Sequence, residues 1–156
     1  MKYPKLTFDA ALHGDLADNV WNAQMAGHPK ILTYAGPDLT LRRATRRDAL
    51  HFEEGGLRYE IPHILSRDEY PFACTLEGGA ASWVGHIPGR ENSAQGGLLA
   101  AFLRRHGIVA GKGEASRFFV AVTGHAKGDV ANPCQPLCKG CEHGCRFTQG
   151  GAALTY

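Results

Sequence analysis

A chain of 156 residues, 44% hydrophobic and 21% charged, is sized for one domain that buries its own core, and its composition is neither collagen-like nor that of a disordered chain. Its formal net charge of +2 excludes a protein that coats nucleic acid by bulk charge. No apolar run approaches the roughly 18–20 residues that cross a bilayer, so no membrane partner is expected.

No apolar leader-like segment follows Met1-Lys2-Tyr3-Pro4-Lys5, which leaves three readings open: a protein that stays in the cytosol, a leader already removed, or export by another route. Leu12, Leu16, Asn19, Val20 and Ala23 recur at helical spacing and predict a helix stopped by Gly27-His28-Pro29. Residues 30–34 read as a short strand ended by Gly36-Pro37. Thr45-Arg46-Arg47-Asp48 has the form of a capping box, with Asp replacing Glu or Gln, and predicts a short helix to Phe52. Residues 71–75 and 81–87 read as two strands about a Gly78-Gly79 turn. After Pro88-Gly89 a helix is predicted over 92–105, with Leu98, Leu99, Phe102 and Leu103 as its apolar face. Residues 118–122 are a further strand. The pattern is α+β: a small, mostly antiparallel sheet with helices packed against it. Residues 1–125 form the domain, and 126–156 a cysteine-rich tail packed on it.

Strand, turn, strand, helix suits a single-cation site, because the strand can present a base and the helix start can present ligands. A hard cation such as Mg²⁺ or Mn²⁺ takes oxygen ligands and keeps several waters, so one or two carboxylates and an amide suffice. Asp68 and Glu69 precede Tyr70-Pro71-Phe72, Glu77 stands at the turn, and Glu91, Asn92 and Gln95 open the helix. Asn92 and Gln95, three apart, share a helix face. The same residues also read as a solvated loop at Asp68–Glu69 and a helix N-cap at Glu91 or Asn92. Arg42, Arg43, Arg46 and Arg47 form a basic run, and with Arg67 and Arg90 they are candidates for phosphate contacts. His63 and His86 lie nearest the acidic motifs and read as structural rather than catalytic.

RDEYPFACTLEGG followed by PGRENSAQG resembles the signature of the bacterial NucA/NucB deoxyribonuclease family, and NAQMAGHPKILTY and LTLRRATRRDAL resemble its lead-in, including that of toxin nuclease domains. The resemblance spans roughly Tyr3 to Val122. It implies a cation-dependent endonuclease that cuts DNA without regard to sequence. It also implies a ββα-metal-like active site in which an aspartate replaces the usual histidine base. Carried onto this chain, Asp68 is the base, with Glu69 and Glu77 as further catalytic candidates; Glu91, Asn92 and Gln95 are the metal-site residues, and Glu77 could instead orient a metal ligand. The toxin-like lead-in points to an antibacterial nuclease, whose producer would need an immunity protein as partner.

Cys134, Cys138, Cys141 and Cys145 fall within twelve residues amid Gly and Pro, a density that suits either a structural zinc or two disulfides. This tail departs from the family pattern. Cys74 reads as a buried small residue, since its neighbours are acidic. The alternative from another class is a non-catalytic, zinc-stabilised nucleic-acid-binding module that uses the arginine run.

Overall fold

A computed structural model describes residues 2–49 and 65–124. The elements run β1 (Lys5–Asp9), α1 (Ala10–His13), α2 (Asp15–Met25), β2 (Ile31–Thr33), α3 (Leu39–Ala49), β3 (Leu65–Tyr70), β4 (Trp83–Pro88), α4 (Gly89–Arg105), a 3-10 turn (Gly113–Ser116) and β5 (Arg117–Thr123). The class is α+β, as expected, with the strands divided between two small sheets. In the first, β5 is central, parallel to β1 and antiparallel to β2; in the second, β3 and β4 form an antiparallel pair.

The period-2 alternation of a half-buried strand sets β1 and β5. Leu6, Phe8, Phe118 and Val120 are buried, while Lys5 and Arg117 are exposed. β1 was not foreseen: its signal is only two apolar residues, and pairing with β5 decides it.

Helix α2 packs between the two sheets and against α4. It buries Leu16, Ala17, Val20 and Ala23, and each large apolar side chain so removed from water contributes about 1.5–3 kcal/mol. Phe8, Phe72, Trp83, Leu99, Phe102 and Phe118 complete the same core. Gln24 ties the sheets together by donating to Tyr70 Oη (3.1 Å) and to the Val120 carbonyl (3.1 Å), and Tyr70 Oη donates to the Pro29 carbonyl (2.8 Å).

Three sequence expectations need correction. The expected strand over 71–75 lies earlier, as β3: Pro71 has no N–H for a ladder, and the chain beyond it turns, with Thr75 N bonded to the Phe72 carbonyl. The short helix expected from Thr45 starts at Leu39 instead, because Asp38 Oδ1 accepts from the Thr40 and Leu41 amides and opens it there. Thr45 then sits inside α3 and donates to the Leu41 carbonyl. Helix α4 begins at Gly89, so Glu91 and Asn92 belong to its first turns and neither is the cap.

No helix among the described residues is long and apolar enough to cross a membrane. Phe52, His63 and the four clustered cysteines lie outside the described residues.

Candidate active site

Asp68 lies mid-way along β3, paired with Gly85 of β4. The glycine is a spatial requirement, since a Cβ at position 85 would lie 1.9 Å from Asn19 Oδ1. Through that gap the Asn19 amide of α2 reaches the hairpin. Its Nδ2 donates to Asp68 Oδ2 (2.7 Å) and to the Asp68 carbonyl (3.2 Å). Its Oδ1 accepts from Trp83 Nε1 (2.9 Å), which fixes which way the amide faces. From the other side, Gln95 Nε2 of α4 donates to the same Asp68 Oδ2 (3.2 Å).

Two helices therefore hold one carboxylate oxygen, and Asp68 lines an adjoining cavity of about 230 Å³. Asp68 is 2% exposed. Burial, and next the charge of Glu69, push its carboxyl up to about 7, although the amides of Asn19 and Gln95 pull the other way. A carboxylate poised near neutrality is suited to accept a proton.

Glu69 is also buried, and burial raises its pKa. Arg46 of α3 stands against it, Nη1 3.6 Å from Glu69 Oε1, while Arg46 Nη2 donates to the Arg67 carbonyl (3.0 Å). Glu69 Oε2 is buried and accepts no hydrogen bond. Asn92 closes the edge of β3: its Nδ2 donates to Ser66 Oγ (2.6 Å) and to the Arg67 carbonyl (3.2 Å). The cavity brings together Arg42, Arg46, Asp68, Glu69, Asn92 and Gln95.

Glu91 lies one helical turn before Gln95. Its Oε2 accepts from the Leu16 amide (3.0 Å) at the N-terminus of α2, where free N–H groups and the helix dipole favour an anion. Glu77 goes elsewhere: its Oε2 accepts from the Thr33 amide (2.8 Å), pinning the 74–77 turn to β2. Arg43 and Arg90 are exposed, on α3 and in the first turn of α4, and with Arg67 they stand outside the cavity lining.

The donor set fits a hard cation, though not as a cluster of charged ligands. No group of three or more His, Cys, Asp or Glu converges among the described residues. What the site offers is the unpartnered Glu69 Oε2, and the carbonyl oxygens of Asn92 and Gln95, whose N–H groups are already given to protein acceptors.

Sequence reading missed Asn19, Gly85 and Trp83. A signal for Asn19 existed: an amide among the apolar positions Leu16, Val20 and Ala23 has to find a buried partner. Nothing local marked Gly85 or Trp83.

Buried carboxylates on a hairpin strand, amides from the helix that follows the hairpin and arginines from α3, all on one pocket, are the equipment of a phosphodiester hydrolase. Residues 20–114 match the family Deoxyribonuclease NucA/NucB, and the chain belongs to that family. It is a deoxyribonuclease, with DNA as its substrate. The match opens one residue after Asn19 and takes in every residue that lines the pocket. No curated protein matches the chain.

Proposed function

We propose that this deoxyribonuclease is a cation-dependent endonuclease that cuts DNA without regard to sequence, with Asp68 as the general base. The observation that carries the reading is the clamp on Asp68: Asn19 and Gln95 both engage Oδ2, which leaves Oδ1 to the pocket. Held this way, Asp68 takes a proton from the attacking water without first reorienting. Arg42 and Arg46 on the same wall suit the phosphate backbone, which carries no sequence information.

A divalent cation, Mg²⁺ or Mn²⁺, held by Glu69, Asn92 and Gln95, with Glu91 one helical turn before Gln95, would neutralise charge on the scissile phosphate. Gln95 then has two duties, orienting Asp68 through Nε2 and offering its oxygen to the ion, while Asn92 holds the β3 edge through Nδ2 and offers its oxygen likewise. Arg67, Arg90 and Arg43 suit contacts with phosphates beyond the pocket. The antibacterial role, with its immunity partner, rests on the toxin-like lead-in alone. A structural zinc or a pair of disulfides remains the reading for Cys134, Cys138, Cys141 and Cys145.

Plasmid cleavage tests the proposal, run with Mg²⁺ or Mn²⁺ and with EDTA on the wild type, Asp68→Ala and Glu91→Ala. Nicking and degradation that need the cation and vanish in Asp68→Ala are expected. Cleavage that persists in EDTA, or in folded Asp68→Ala, would refute cation dependence or the base assignment respectively.

A further inference from the structure

Beside the catalytic pocket is a second cavity of about 500 Å³. Tyr34, Leu99, Leu103 and Ile108 give it an apolar lining, and Arg42 and Arg104 add charge. Arg42, Gly96 and Leu99 line both cavities, so the two form one continuous trough. Among the described residues no carboxylate lines the second cavity, and neither Arg42 nor Arg104 makes an ion pair. The trough therefore fits a partner that is anionic along one side and flat and apolar along the other.

Gly96 gives an independent indication. It sits inside α4, where glycine is less favourable than alanine because its backbone loses more freedom. A Cβ there would meet nothing within 4 Å, so the protein's own packing does not require glycine. Its bare backbone lies where the two cavities join and keeps that space open.

We propose, building on the nuclease reading above, that the second cavity is a nucleotide subsite. It takes the sugar and base of an unpaired DNA nucleotide next to the scissile phosphate, while Arg42 lies between successive phosphates and Arg104 meets a further one. The volume lies within the range of small-ligand pockets, roughly 300–1,000 Å³. Tyr34 and the leucines offer a surface on which any base can stack, so the subsite adds affinity without reading sequence. A base stacked inside a duplex cannot enter it. The enzyme is thereby biased toward single strands, frayed ends and gaps.

Binding in EDTA, where no cleavage intervenes, tests the subsite apart from the chemistry. Fluorescence anisotropy compares a dye-labelled single strand of about 12 nucleotides, within the span of known single-strand sites, with the same sequence closed into a hairpin duplex. The proteins are the full chain, Gly96→Leu, which fills the shared space, and Arg104→Ala. Gly96→Leu is expected to weaken single-strand binding about tenfold more than duplex binding, the scale of one lost stacked base. Arg104→Ala is expected to lower the salt slope for the single strand by about 0.7, one phosphate contact. Equal losses on both DNAs, or no loss on the single strand, would overturn the subsite. Should Gly96→Leu fail to fold, Arg104→Ala alone decides, with an unchanged salt slope as the refuting result. Plasmid cleavage by the wild type reports separately on the nuclease reading.

Discussion

Replacing Asp68 with Asn should abolish turnover and yet stabilise the protein, and the pH dependence of that gain tests the account of the site. Burial, then Glu69, raise the Asp68 carboxyl from 3.8 to about 7 in the folded state. Between those values the folded chain keeps a proton that the unfolded chain has released. Stability therefore falls as pH rises from about 4 to about 7, and the penalty is constant above that. At 1.36 kcal/mol per unit, a shift of about three units sets an upper limit of about 4 kcal/mol. An effective dielectric nearer 20 beside an open cavity brings the expectation to about 2 kcal/mol. The Asn oxygen can occupy the place of Oδ2, accept from Asn19 and Gln95, and carry no charge against Glu69. With about 2–4 °C per kcal/mol for a chain of this size, the melting midpoint should rise by about 4–8 °C at pH 8. At pH 4 it should barely change, because both side chains are then neutral. Melts of both proteins in EDTA followed by circular dichroism measure this. A variant less stable than wild type at pH 8, or one shifted equally at both pH values, would refute the desolvation argument.

Gly85→Ala sets a Cβ where Asn19 Oδ1 now lies; a loss of about 1–3 kcal/mol from overpacking is expected, with a fall in kcat larger than any change in KM. Trp83→Phe leaves Asn19 Oδ1 buried without its donor, which costs about 1–3 kcal/mol in a urea titration and lowers kcat as the Asp68 clamp loosens. Glu69→Gln removes the charge beside Asp68 and one oxygen proposed to hold the cation, so a Mn²⁺ titration of cleavage should show affinity weakened about tenfold or more; unchanged Mn²⁺ dependence would remove Glu69 from the proposed ligands. Glu77→Ala strips the Thr33 amide of its acceptor, lowering stability by about 1–2 kcal/mol while turnover per folded molecule is retained. A loss of kcat in well-folded Glu77→Ala would return that residue to the catalytic group.

Much of this protein is written locally. The helical spacing of Leu16, Val20 and Ala23, the β-forming run 118–122 and the apolar face of α4 each fix an element type, because periodicity follows from geometry within the segment. The motif residues Asp68, Glu69, Asn92 and Gln95 were likewise legible, and the structure gathers all four on one cavity. Tertiary contacts decided the rest. Strand β1 exists through its pairing with β5, and Asp38 rather than Thr45 opens α3. Glu77 looked equal to Glu69 in sequence, yet one carboxylate meets the Thr33 amide and the other lies buried beside Asp68. Asn19 and Trp83, distant in sequence from Asp68, converge on it only because α2 packs on the hairpin and Gly85 leaves the gap. A sequence names the groups able to do chemistry; desolvation and the direction of a hydrogen bond arise only when segments far apart in the chain come into contact.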